Sequence, residues 1–363
     1  MKNKLLVLMI AILAMIQTSC EKYNQIDNST TVKTPFVLYV GGYQGTLHKM
    51  NDLVYFTNLF PTDNSTVRQI LVADTMLLYI KENFYHSKND GKAFQMSNLG
   101  PDYVIRHLDQ FYKYYLPNTA VYHPDSNIIY LCCDSRGDGL PNLTRQTGLG
   151  NLVLKYSTDN GQTFVNETRW QAPDPQIGAT SVTRLENGHL FIIRDSANLY
   201  RKLPGQSWAK IPQGVTGTPA KPLPTDTTIW YITHRLNTLL AIDYTGQAGV
   251  WYSLDEGLTW DKAVGLPKKE ILFGKQPFGP GTEFFVGLDS AGLFRLDGNA
   301  FVSVSAGIPW YAKVSYMEGK RVVYRTDESR YYLFCATDQG LFISENYGSD
   351  WKLFRNGNYS TLQ

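Results

Sequence analysis

Tyrosine, arginine, histidine and aspartate crowd into one stretch of this chain, Asp102–Leu116 (DYVIRHLDQFYKYYL), which holds Tyr103, Arg106, His107, Asp109, Tyr112, Tyr114 and Tyr115. A second polar stretch, Asp134–Gly150 (DSRGDGLPNLTRQTGLG), adds Arg136, Asp138 and Arg145. Aromatic rings stack on sugar faces or on apolar peptide side chains, and Arg and Asp supply directional hydrogen bonds. Together these residues suit recognition of a glycan or a protein partner. The competing reading of the first stretch is structural, because Ile105, Leu108, Tyr112 and Tyr115 have the spacing of a buried stripe on one or two helical turns.

Other reactive side chains lack a pattern that chemistry requires. The six His, at 48, 86, 107, 123, 189 and 234, show no metal-ligand spacing, and no phosphate-binding loop or nucleophile elbow occurs. No catalytic residue, metal or cofactor is therefore expected. Arg136-Gly137-Asp138 spells an integrin-type tripeptide, but three-residue matches arise readily by chance. Cys132 and Cys133 (IIYLCC) and Cys335 (YYLFCA) sit in apolar runs and read as small buried hydrophobes.

The elements that would position a site come from a repeat. Four segments share the form S-x-[D/N]-x-G-x-x-[W/F]: Ser87/Asn89/Gly91/Phe94, Ser157/Asp159/Gly161/Phe164, Ser253/Asp255/Gly257/Trp260 and Ser344/Asn346/Gly348/Trp351. Gly205 with Trp208, and Gly298 with Phe301, keep only the glycine-to-aromatic spacing. In a hairpin corner the acid or amide can bind backbone N–H groups two residues on, Gly takes the positive φ that follows, and the aromatic folds back under the turn to bury its ring between sheets. These sixteen residues are thus expected to be structural.

The motif resembles the Asp-box, or bacterial neuraminidase repeat, of sialidase-superfamily propellers, and the likeness runs over most of the chain. It implies an all-β single β-propeller with the boxes joining the third and fourth strands of each blade. Around the boxes the same grammar recurs: a strand, a turn carrying Asp and often Gly (Asp134, Asp195, Asp243, Asp289, Asp338), and a second strand. The Asp residues read as turn formers. Seven units follow, near 35–57, 67–99, 118–171, 180–212, 228–266, 270–306 and 320–356, so seven four-stranded blades are expected. Six or eight remain compatible with the irregular first and third units. Leu38–Gly41 leads straight into a turn, so the chain is expected to enter the propeller partway through a blade.

Up-and-down strands place successive turns on alternate faces of the disc. The boxes then share one face, and both long polar stretches fall on the other, where propellers commonly bind ligands. Sialidases resemble this chain in turn motif, but they carry a Phe/Tyr-Arg-Ile-Pro segment before the first box. The nearest string here, Tyr103-Val-Ile-Arg106, lacks the proline and follows a box. Two-propeller endoglucanases with such boxes are about twice as long, whereas single-propeller photosystem assembly factors share the grammar and are binding scaffolds. The expectation is a non-catalytic binding propeller for a glycan or partner protein; the alternative is a sialidase-like, exo-acting glycoside hydrolase. Arginines at 184, 194, 235, 325 and 330 are those that could converge on a carboxylate.

The first twenty residues have the grammar of an export signal: Lys2 and Lys4, then twelve apolar residues (LLVLMIAILAMI), then Thr18-Ser19-Cys20. This resembles a bacterial lipoprotein signal with Cys20 as the lipidated residue, although Gln17 stands where an aliphatic residue is usual. The expected organisation is a signal over 1–20, a polar tether over 21–34 and the propeller over 35–363. The expected location is the cell envelope, at the outer membrane, held by the lipid alone. In 363 residues the formal net charge is +2 and the charged fraction 18%, without Lys/Arg runs, so nucleic acid is not an expected partner. A monomer is expected.

Overall fold

The computed structural model describes residues 32–34, 36–51, 53, 55–59, 66–73, 75–81, 84–99, 120–134, 152–168, 181–194, 198–212, 222–223, 231–243, 249–324 and 328–363. These residues form antiparallel sheets and, among them, no α-helix. Apolar runs bounded by Gly, Asp and Pro turns become short strands buried on both sides, as in Leu239–Ile242, which is wholly buried.

Seven sheets result. From the channel outward, the second blade is Gln69–Ala73, Met76–Ile80, Phe84–Ser87 and Gln95–Met96. The third is Ala120–His123, Ile128–Asp134, Leu152–Ser157 and Val165–Asn166, and the fourth Ser181–Arg184, Leu190–Arg194, Asn198–Lys202 and Ala209–Lys210. The fifth is Tyr231–Arg235, Thr238–Asp243, Gly249–Ser253 and Asp261–Lys262, and the sixth Ile271–Lys275, Phe284–Leu288, Gly292–Asp297 and Ala300–Ser303. The seventh, Val314–Tyr324, Ser329–Thr337, Gly340–Ser344 and Lys352–Arg355, has a fifth strand, Val32–Thr34, paired with Val323 and Tyr324. Its first strand begins at Val314, six residues ahead of the sequence count, because the Pro309 turn delivers the chain to the channel earlier than the repeat spacing implies.

The first blade is completed by both ends of the chain. Val37–Gly42, Leu47–Asn51 and Tyr55–Asn58 supply three strands, and Tyr359–Leu362 supplies the innermost. The expected mid-blade start is thus explained, since the chain's last strand fills the missing place. The innermost strands touch in a closed ring, in which Tyr359–Leu362 contacts both Val314–Tyr324 and Gln69–Ala73. Closure fastens the first blade to the last and leaves the edges of the blades short and protected.

The four serine corners join third to fourth strands, as expected, but divide their hydrogen bonds differently. The glycine N–H is taken by serine: Gly91, Gly161, Gly257 and Gly348 donate to Ser87, Ser157, Ser253 and Ser344 Oγ at 2.9, 2.8, 2.7 and 2.8 Å. Each serine hydroxyl donates in turn to the acid or amide oxygen: to Asn89, Asp159, Asp255 and Asn346 Oδ1 at 2.9, 2.7, 2.8 and 3.0 Å. The acid or amide therefore reaches further than the two residues expected and accepts the N–H four residues on. The distances are 2.9 Å from Ala93 to Asn89, 2.9 Å from Thr163 to Asp159, 2.8 Å from Thr259 to Asp255 and 3.0 Å from Asp350 to Asn346. Asn89 and Asn346 are exposed where Asp159 and Asp255 are half-buried, but the serine and glycine of all four corners are buried. In the two acid corners burial raises the carboxyls of Asp159 and Asp255, but the donors outweigh it and hold both below the usual range.

Only glycine fits the turn. Gly257 has φ +91°, and a Cβ there would stand 2.3 Å from Leu199 Cδ2 of the preceding blade. Three closing aromatics reach the preceding blade as expected. Phe164 lies edge-on to Phe84 at 5.0 Å, Trp208 edge-on to Tyr130 at 6.0 Å, and Trp351 Nε1 donates to Val304 O at 3.0 Å. Phe94 departs from the expectation of a buried ring between sheets. It is only half-buried and lies edge-on to Tyr79 of its own blade, at 4.9 Å. It still packs against the cluster joining the first and second blades, which includes buried Tyr39 and Leu47, but at the rim of that cluster, whereas Phe164 and Trp208 are buried against Phe84 and Tyr130.

The residue before the glycine, left open by the motif, also has positive φ and, in three of the four corners, latches onto the preceding blade. Tyr39 and Lys49 donate to Asp90; Arg201 donates to Glu256 at 2.6 Å and His189 Nδ1 pairs with it at 2.9 Å; Tyr347 donates to Gly281 O at 3.4 Å. Cys132 and Cys335 are buried free thiols, and burial pushes the Cys335 thiol up.

Candidate functional site

Strand order fixes the two faces. Turns joining first to second and third to fourth strands lie on the corner face. Turns joining second to third strands, and the connections between blades, lie on the opposite face. Cross-blade contacts agree: Glu256 of a corner meets Asn187 and His189 of a first-to-second turn, and Tyr43 of a second-to-third turn meets Ser315 at the start of an innermost strand. The polar stretches at 102–116 and 134–150 interrupt the chain between the second and third blades and between the second and third strands of the third blade. Tyr103, Arg106, His107, Asp109, Tyr112, Tyr114, Arg136, Asp138 and Arg145 lie outside the described residues, as does Cys20.

On that same face the described residues form a different site, across the sixth, seventh and first blades. Its centre is the connection after Ala300–Ser303. Ser305 Oγ bonds both backbone groups of Leu293, at 2.8 and 3.0 Å, and Trp351 N–H donates to Ala306 O at 2.8 Å. Pro309 then opens a tight turn closed by Ala312 N–H on Pro309 O at 2.9 Å. Buried Ile308 and Ala312 pin its two ends, and Trp310 and Tyr311, its two central residues, face water at 78% and 50% exposure. Their rings meet edge to face at 5.7 Å. An exposed Trp–Tyr pair on a turn anchored at both ends is unusual for a surface with no ligand to meet.

Charged groups stand beside it. Lys313 Nζ pairs with Asp289 Oδ2 at 3.1 Å, and Lys313 N–H donates to Asp338 Oδ1 at 2.9 Å. The inner-turn Asp residues read from sequence as simple turn formers do more than that here, since Asp289 and Asp338 fasten the strand that enters the seventh blade. Asp243 is buried, and the side chains of Asp134 and Asp195 lie outside the described residues. Glu270 Oε1 is buried without a hydrogen-bond partner among the described residues; burial, then the Asp289 charge, raise its carboxyl to about 7, against the pull of Lys313. Tyr43 donates to or accepts from Ser315 Oγ, and burial raises its phenol.

Of the corner residues only Trp351 reaches this site, through its N–H on Ala306 O and its indole N–H on Val304 O. The accessible ones, Asn89 and Asn346, are engaged within their own turns, and Phe94 packs against the cluster shared by the first and second blades. Sequence reading missed Trp310, Tyr311, Lys313 and Glu270. The one available signal was the Pro-Trp-Tyr string following Gly307-Ile308, where an outer strand should hand over to the next blade. The arginines considered for carboxylate binding have partners of their own in three cases: Arg184 with Asp125 at 2.7 Å, Arg235 with Thr282 at 3.3 Å and Arg330 with Glu328 at 2.7 Å. The side chains of Arg194 and Arg325 lie outside the described residues.

No protein-family model matches the chain, and no curated protein matches it. Solved structures do. The chain is similar to YCF48 bound to D1 peptide, with 11% identity and TM-score 0.50 over 87% of this chain and 92% of that one. It is also similar to the computationally designed Ika8 protein, with 9% identity and TM-score 0.53 over 93% of this chain and 91% of that one. At such identities the likeness is one of fold. The fold is that of the seven-bladed β-propellers.

Proposed function

We propose that this propeller is a non-catalytic binding module of the cell envelope, taking a protein or glycan ligand on the face opposite its serine corners. The observation that carries the reading is the anchored turn presenting Trp310 and Tyr311 beside the Lys313–Asp289 pair. Flat aromatic surface supplies contact area at low entropic cost, and the ion pair supplies orientation. YCF48, which shares the fold, has been solved bound to a peptide, and that supports a protein ligand over a sugar.

Purified protein is screened on a glycan array and on a displayed peptide library. Any ligand found is expected to weaken at least tenfold with Trp310→Ala and to be unaffected by Leu254→Ala, an exposed apolar residue on the corner face. The reverse pattern, or hydrolysis of a fluorogenic sialoside, would sink the reading. Envelope anchoring through Cys20 belongs to the same proposal: radiolabelled palmitate should enter the wild-type protein and not Cys20→Ala, and equal labelling of both removes the anchor.

A further inference from the structure

The innermost strand of each blade runs from the opposite face to the corner face, so its last residues rim the channel on the corner side. On four consecutive blades those residues carry nitrogen. Arg184 ends Ser181–Arg184, His234 is next to last in Tyr231–Arg235, Lys275 ends Ile271–Lys275, and Lys320 lies in the second half of Val314–Tyr324. They form one connected group. Thr183 Oγ1 bonds His234 Nδ1 at 2.9 Å, the charges of Lys275 and Arg184 both bear on His234, and Lys275 bears on Lys320.

Acids answer only part of this charge. Glu318 pairs with Lys275 at 2.5 Å, and Asp125, whose side chain is 69% exposed, takes one terminal nitrogen of Arg184. Arg184 Nε is buried with no hydrogen-bond partner among the described residues, and Lys320 feels the charge of Glu318 without a salt-bridge contact to it among them, so that one carboxylate serves two ammonium groups. A buried guanidinium N–H left open is costly unless something external meets it, and two ammonium groups sharing one carboxylate leave net positive charge at the mouth.

We propose that the corner-face mouth of the channel is a second binding site, in which Arg184 and Lys320, flanked by His234 and the Lys275–Glu318 pair, receive an oxyanion: a carboxylate or phosphate group at the end of a ligand. Phe278, 59% exposed, and Tyr331 meet at a tilt, centroids 6.1 Å apart, beside the same strands and would cover the ligand's apolar part. This site lies across the disc from Trp310 and does not depend on the ligand proposed there.

His234 reports on the site. Burial, then Lys275 and Arg184, hold its imidazole down to about 4. A bound anion offsets those two charges and therefore raises the titration midpoint. Thr183, Arg184 and Lys275 are the polar and charged groups that bear on it from the adjacent strands.

The test follows the His234 imidazole C–H resonances of the full chain by NMR, in chloride and in inorganic phosphate at equal ionic strength. Saturable phosphate binding with a midpoint rise of about one unit is expected. Lys320→Gln and Arg184→Gln should each weaken it roughly tenfold, while Lys88→Gln, elsewhere on the corner face, leaves it unchanged. Lys275 is kept, because its loss would strand Glu318. A peptide with a free C-terminus, compared with its amidated form, separates the two sources: preference for the free form assigns a carboxylate, and phosphate binding alone assigns a phosphate group. An unmoved midpoint with both probes, or equal loss with Lys88→Gln, overturns the proposal. Should Arg184→Gln fail to fold, Lys320→Gln alone decides.

Discussion

The two faces of the disc are built by different rules. On the corner face one device recurs four times, each complete within eight consecutive residues, with Ser, acid or amide and Gly making the same bonds at nearly the same lengths. On the opposite face the side-chain contacts around the candidate site join residues distant in sequence and have no counterpart in a shared motif: Lys313 with Asp289, and Tyr43 with Ser315, which are 272 positions apart. Repetition marks what the fold needs in every blade. Single use marks what only one place in the fold needs, which is what the proposed ligand site would require.

That contrast predicts where damage to folding is greatest. Trp260 is buried among Leu199, Ile211 and Leu239, across the boundary between the fourth and fifth blades, and its indole N–H donates to Gly257 O at 3.1 Å. Trp260→Ala should lower unfolding free energy by about 3–5 kcal/mol, as for other large buried aromatics. Trp310→Ala removes a ring of the same size that is mostly in water, and should cost no more than about 0.5 kcal/mol. Urea midpoints of the two variants check this. Comparable losses would mean that Trp310 is a packing residue and that the two faces do not differ as argued.

The same contrast explains what could be read from sequence. Seven blades, their strand order and the corner locks were legible because each is encoded by neighbouring residues with a physical reason for their spacing. Even there, the reach of Asp159 to Thr163 was misjudged, since one serine hydroxyl competes for the nearer amide. The half-buried Phe94 was misjudged too, because the motif fixes where a ring points and not what the neighbouring blade sets against it. Closure by Tyr359–Leu362 was half legible, through the missing first strand near Leu38. The aromatic pair was not legible, because Trp310 and Tyr311 look like any loop residues until Ile308 and Ala312 are seen to be buried on either side. Nor was the role of Glu256, whose partners Asn187, His189 and Arg201 come from another blade.

Two carboxylates, one on each face, sharpen the comparison further, because their effects on stability run in opposite directions with pH. Glu270, on the opposite face, titrates at about 7 when folded and about 4.3 when unfolded. The folded state therefore holds the extra proton between those values, and stability falls as pH rises through that window. Glu270→Gln should remove this slope and stabilise the protein by about 1–2 kcal/mol at pH 8, after allowance for screening. Glu256, in a corner, is the reverse case. Burial raises its carboxyl, but Arg201, His189 and Asn187 outweigh that and hold it below the unfolded value. Its contribution is present above the unfolded pKa and is lost as pH falls through the folded one. Glu256→Gln should cost about 0.5–1 kcal/mol at neutral pH and progressively less in acid. Chemical denaturation of wild type and both variants between pH 3 and pH 8 reads the two slopes. If they carry the same sign, the acid on the opposite face is serving as a lock like its counterpart, and the division of labour between the faces fails.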